Sequence, residues 1–262
     1  MTVRQAAVAG MFYPGTSLEL QVMVQKMLAD NPAPSLVTEQ PRALIVPHAG
    51  YPFSGSVAAI AYNSLSKHAD SIRRVVLLGP SHRVAFHGIA LTEADSFQTP
   101  LGHVCIDQQS VQALSRLPQV AFLDQAHELE HSLEVQLPFL QNVLGDFVLV
   151  PLVVGDASAS QVEEVITPFV EDENTLIVIS TDLSHYLPYF QAQEKDRATI
   201  AAIESFATNL QGDQACGCRA LNGFLSLARE QNWQLQLLDY RNSGDAGAGR
   251  DGVVGYAAFI AR

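Results

Sequence analysis

The sequence predicts an α/β fold, a three-layer α/β/α sandwich around a mixed, largely parallel sheet. Three observations carry that prediction. Four apolar runs, Ala43–Val46, Val75–Leu78, Phe147–Val154 and Leu176–Ile179, are β-branched or Leu-rich and nearly unbroken, as strands buried on both faces are. Helical spacings of apolar residues separate them, the alternation that builds parallel sheets. Of the 262 residues, 48% are hydrophobic and 16% charged, too apolar for a disordered chain and ample for a sizeable core. A single domain over residues 1–262 is the expectation.

The elements follow in order. Ser17–Ala29 carries Leu20, Met23, Val24, Met27 and Leu28 at helical spacing behind a Ser17 cap. Asn31–Pro41 holds Pro32, Pro34 and Pro41 and reads as an extended connector. Helices are predicted over Ser56–Ser66, Gln108–Leu117, Ser160–Val170, Glu194–Asn209 and Ala220–Gln231. Leu133–Leu144 has one apolar stripe and Gly145 as its stop, but Pro138 should kink it or delay its start. Ser243–Gly252, with four glycines and three charged residues, is a flexible loop. Val253–Ile260 is a last strand, expected at an edge.

Charge excludes some functions. Fifteen basic residues against 27 acidic ones give a net charge of −12, which repels phosphate backbones and anionic lipid. No apolar stretch approaches the roughly 18 residues of a membrane span, and the N-terminus lacks a signal peptide's apolar segment. The expected location is the cytoplasm. Three cysteines, Cys105, Cys216 and Cys218, do not make a disulfide framework.

Three of the apolar runs end alike. The first leads into Pro47-His48-Ala49-Gly50-Tyr51, the second into Gly79-Pro80-Ser81-His82 and the fourth into Ser180-Thr181-Asp182-Leu183-Ser184-His185. Parallel strands put their carboxyl ends on one edge, where ligands of open α/β sheets bind. Three sequence-distant imidazoles are thus delivered to one rim, and imidazole is the commonest transition-metal ligand. Asp182 either orients a metal-bound imidazole or serves turn chemistry. Cys216-Gly217-Cys218 precedes a predicted helix, whose positive N-terminus would favour thiolate. Cys105 reads as a small core hydrophobe, and His68, His87 and His103 as surface or loop residues. His127-Glu128-Leu129-Glu130-His131 matches the generic zinc-protease spacing, a minor alternative. Phosphate cradles, Walker motifs and nucleophile elbows are absent.

Several segments resemble the signature blocks of the Memo family, called AmmeMemoRadiSam system protein B in prokaryotes. They are Gly10-Met11-Phe12-Tyr13-Pro14-Gly15, the histidine segments above, Thr99-Pro100-Leu101-Gly102, Glu130-His131-Ser132-Leu133-Glu134-Val135-Gln136-Leu137-Pro138 and Asn242-Ser243-Gly244-Asp245. The resemblance implies a fold like that of class III extradiol dioxygenases, with non-haem iron at the sheet's carboxyl edge. It implies His48, His82 and Cys216 as metal ligands, with His185 as an acid/base or further ligand oriented by Asp182. The family's Cys-Gly-Arg-Gly-Pro-like block is altered here to Cys216-Gly217-Cys218-Arg219-Ala220, so Cys218 is a possible substitute ligand. The family name further implies an AMMECR1-like protein and a radical-SAM protein as partners. The first expectation is therefore an Fe(II)-dependent oxidoreductase of dioxygenase-like architecture, with copper or zinc as other metals. A zinc hydrolase and a non-catalytic partner-binding module are the alternatives.

Overall fold

The computed structural model describes residues 2–34 and 39–262. The connector expected over Asn31–Pro41 thus falls partly on 35–38, outside the described residues. The strands are β1 Val3–Arg4, β2 Ala43–Val46, β3 Arg74–Pro80, β4 Ile89–Leu91, β5 Ser96–Thr99, β6 Gly102–Cys105, β7 Val120–Phe122, β8 Val148–Val154, β9 Thr175–Ser180, β10 His185–Leu187, β11 Leu235–Asn242 and β12 Val253–Ala261. The α-helices are α1 Ser17–Asp30, α2 Tyr51–Asn63, α3 Gln108–Leu114, α4 Asp124–Glu128, α5 Leu137–Val143, α6 Ala159–Ile166, α7 Tyr189–Glu204 and α8 Cys218–Glu230.

All four apolar runs form the middle of the main sheet, whose order is β10-β12-β2-β9-β3-β8-β4-β7, with β11 paired to β12. The stretch β2-β9-β3-β8 is parallel throughout, and β2 and β9 are buried at every position. Burying both faces requires apolar side chains on both, which is why alternation is lost. Antiparallel strands β4 and β12 flank this centre, so the sheet is mixed. Helices cover both sides: α1, α2 and α5 pack together, and so do α6 and α8. A separate three-stranded sheet has the order β1-β5-β6. The α/β architecture expected from the sequence is the one observed.

Several local expectations are corrected. Thr16, not Ser17, caps α1, accepting the Glu19 N–H at 3.4 Å. Helix α2 starts at Tyr51, with Pro52 at a position that needs no donor. Pro138 does delay its helix: Glu134–Gln136 is a 3₁₀ turn, and α5 begins at Leu137. Strand β12 is interior rather than an edge, because β11 lies outside it. Cys105 is exposed, since Val104 takes the inward position on β6. No helix of the described residues is long and apolar enough to cross a membrane.

Candidate metal centre

Strand order assembles the site. Strands β2, β9 and β3 are neighbours, so the loops after them share one rim. The rings of His48 and His82 come to 5.2 Å between centroids. A third imidazole joins them, and it is His131, from the loop before the 3₁₀ turn, rather than His185. Its ring stacks on His82 at 4.6 Å and meets His48 edge-on at 5.5 Å. One ligand nitrogen from each of these three histidines lies within 4.8 Å of the others. Three ligands bonded at ~2.1 Å to one ion stand about 3–3.5 Å apart, so side-chain rotations would have to draw the nitrogens in to hold it.

The surrounding hydrogen bonds decide which nitrogens are available. Ser180 Oγ donates its one hydrogen to the Ser132 carbonyl at 2.6 Å. Gln136 Nε2 donates to the Pro47 carbonyl and to Ser180 Oγ, both at 2.9 Å, and Tyr62 O–H donates to Gln136 Oε1 at 2.9 Å. Ser180 has one lone pair left for His48 Nδ1, 2.9 Å away. His48 Nδ1 must therefore carry the hydrogen, and Nε2 faces the site as a bare lone pair. His82 is set in the same way. Its Nδ1 donates to Glu130 Oε1 at 2.9 Å and its backbone N–H to Glu130 Oε2 at 2.6 Å. Glu130 Oε1 also accepts the His131 and Ser132 N–H groups. A carboxylate behind an imidazole is the support that metal-binding histidines use. Burial pushes the Glu130 carboxyl up, but these bonds, led by His82, hold it at about 2. Burial pushes His48 well below its ordinary value, helped by His82 and His131; burial likewise takes His131 to about 4. His48 and His131 are thus neutral at pH 7, the form a metal takes.

Cys216 lies beside this group. Its sulfur is 3.2 Å from His48 Nε2 and accepts the Asp182 N–H at 3.3 Å. It is not at a helix N-terminus, because Gly217 caps α8 and Cys218 is the first helical residue. The expected lowering of its pKa is reversed: burial, then the Asp182 carboxyl, push the thiol up to about 12. Gly217 lets this loop close, since a Cβ there would come within 2.7 Å of Thr181 Cβ. Asp182 does not orient His185. Its Oδ1 accepts the His48 backbone N–H at 2.7 Å, and burial raises the carboxyl to about 7. His185 instead lines a cavity of about 430 Å³ with His82, Cys216, Lys195 and Asp213. A larger cavity of about 550 Å³ adjoins it through Gly212 and Cys216 and includes Cys218 and Arg219.

The segment Glu130–Gln136, whose role the sequence left open, is the frame of this site. Glu130 sets His82, His131 enters the group, Ser132 and Gln136 set Ser180, and Glu134 clamps the N-terminal segment. Glu134 is fully buried and binds Arg4, the Ala7 and Val8 N–H groups and Tyr13 O–H. Phe12, from that same segment, packs on His131 at 4.7 Å. His127 stands apart, buried and bonded through Nε2 to the Ala90 carbonyl, which ends the zinc-protease reading. The sequence signal for His131 was its adjacent carboxylate, and for Ser180 its place directly after the apolar run Leu176–Ile179.

The family model described as Memo-like protein matches residues 4–260 of this chain. A MEMO1 family protein of Methanopyrus kandleri is 37% identical over 99% of this chain and 99% of its own length. One from Aquifex aeolicus is 35% identical with the same two coverages. One from Thermoplasma volcanium is 32% identical over 99% of this chain and 98% of its own. A solved structure of an uncharacterized Escherichia coli K12 protein aligns with TM-score 0.48 and 11% identity, over 84% of this chain and 99% of that one.

Proposed function

The chain belongs to the Memo family, and on that premise we propose that it is a non-haem Fe(II)-dependent oxidoreductase. One observation supports the reading most. His48 and His82 each have Nδ1 tied back to a fixed partner, so both Nε2 lone pairs converge beside His131. Such a donor set suits iron, copper or zinc. Cys216, within reach of His48, would add a thiolate, a soft donor that leaves copper and zinc open beside iron. Iron(II) held there would supply one-electron chemistry to a substrate in the adjoining cavities.

The protein's own residues supply the rest. His185 faces the smaller cavity with its pKa held below the ordinary value by burial, so it is neutral at pH 7 and able to accept a substrate proton. Asp182, near neutrality in its own titration, fixes the His48 backbone. The substrate is a small molecule that fits the two cavities. Cytoplasmic action beside an AMMECR1-like and a radical-SAM protein is proposed on the family resemblance alone.

Elemental analysis of anaerobically purified protein tests this, beside the His82→Ala and Cys216→Ser variants. The expected result is about one iron per chain, lost in His82→Ala with the fold retained. Zinc in its place would turn the reading to a hydrolase that works without oxygen. Metal-free protein from every preparation would leave the partner-binding module.

A further inference from the structure

We propose that Cys216 and Cys218 form a redox-active dithiol, closed to a disulfide by a peroxide and reopened by a thiol reductant. The dithiol shares Cys216 with the proposed metal centre; its formation is argued from the two cysteines alone, and only its consequence for metal binding rests on that reading.

Backbone geometry comes first. Gly217 has φ −88° and ψ 19°, a turn conformation at the mouth of α8. In helical geometry, residues i and i+2 have Cα atoms about 5.4 Å apart. That lies inside the roughly 4.4–6.8 Å range of disulfides. An extended linker would set them about 7 Å apart, too far to bridge. The fold holds this turn in place. The Gly217 N–H donates to Thr181 Oγ1 at 2.9 Å, the Cys216 N–H to the Asp182 carbonyl at 3.2 Å, and the Cys218 N–H to the Ala215 carbonyl at 3.0 Å.

Access comes second. Both thiols are free, both are partly exposed, and both line the cavity of about 550 Å³. A small hydroperoxide enters a cavity of that size. The remaining thiol, Cys105, is exposed on β6 in the other sheet and serves as a control.

The chemistry balances. One thiol gives up its proton and attacks the peroxide oxygen as the thiolate, the O–O bond breaks, and the leaving oxygen takes up that proton as alcohol or water, with a sulfenic acid left on sulfur. The second thiol attacks that sulfur, the S–S bond forms, the S–O bond breaks, and water leaves with the thiol proton. Two thiols lose two electrons and the peroxide gains them. The disulfide takes the Cys216 sulfur away from His48, so oxidation should weaken the metal centre.

The test uses the intact protein, reduced and then treated with one equivalent of hydrogen peroxide. After alkylation under denaturing conditions, trypsin releases one peptide, residues 198–219, carrying both cysteines. The expected result is that this peptide resists alkylation after peroxide and takes two alkyl groups after dithiothreitol. In Cys218→Ser, the same treatment should leave Cys216 alkylatable or over-oxidised. Two thiols still alkylatable while Cys105 is oxidised would overturn the proposal, as would sulfinic acid on Cys216 without a disulfide. Fe(II) binding, measured on both redox forms, should weaken roughly tenfold or more on oxidation. A disulfide with unchanged Fe(II) affinity would uphold the dithiol and overturn Cys216 as a metal donor.

Discussion

At the scale of single residues, Glu130 holds more of the site than any metal-facing group. Its two oxygens accept four N–H groups: the backbone and Nδ1 of His82, and the backbones of His131 and Ser132. Glu130→Gln keeps the shape but turns one acceptor into a donor facing an N–H. Loss of such a support typically costs 10–100-fold in metal affinity. We expect a loss in that range for Fe(II), with the far-ultraviolet circular dichroism unchanged; titration calorimetry under anaerobic conditions measures it. Unaltered affinity would mean that the histidines are oriented by something else. The sequence displayed Glu130 and His131 only as part of a signature and of a generic zinc-protease spacing. Their roles were illegible because they depend on a contact across 48 residues of chain, which no spacing rule reports.

At the scale of elements, the larger cavity depends on how α6 and α8 pack. Gly223 of α8 lies against α6 so closely that a Cβ would come within 2.5 Å of Val162 Cβ and 2.8 Å of the Ala159 carbonyl. One methyl group must push the helices apart, and overpacking of this kind costs about 1–3 kcal/mol. Gly223→Ala should therefore lower the urea midpoint at constant m-value, although alanine is the better helix former. A raised midpoint would show that helix propensity outweighs the clash. The helices were largely legible as elements, since their apolar periodicity is local. Boundaries were less so: α7 starts at Tyr189 rather than Glu194, because Pro188 opens the helix ahead of its amphipathic part.

At the scale of the whole molecule, stability should fall in acid for a definable reason. His127 is enclosed in the core, and burial lowers it from 6.5 to about 4, with only Nε2 hydrogen-bonded. Its folded value lies below its unfolded one. The contribution is therefore complete above pH ~6.5 and is lost as pH falls toward 4. A shift of that size is worth about 3 kcal/mol. His127→Gln keeps a donor for Ala90 and cannot charge, so urea unfolding at pH 7 and pH 4 should show a smaller loss than wild type. Parallel losses would sink this account. His48 and His131 act in the same direction, and only the difference between variant and wild type isolates His127. The sequence by itself determined the α/β class, the four central strands and the delivery of His48 and His82 to one rim. Each follows from local apolar pattern and from the polarity of parallel strands. The tertiary structure alone decided that His131 is the third imidazole, that Asp182 serves the His48 backbone and that the Cys216 thiol is raised rather than lowered. Those outcomes turn on burial and on hydrogen bonds between segments far apart in the chain, and such contacts exist only once the sheet has ordered its strands.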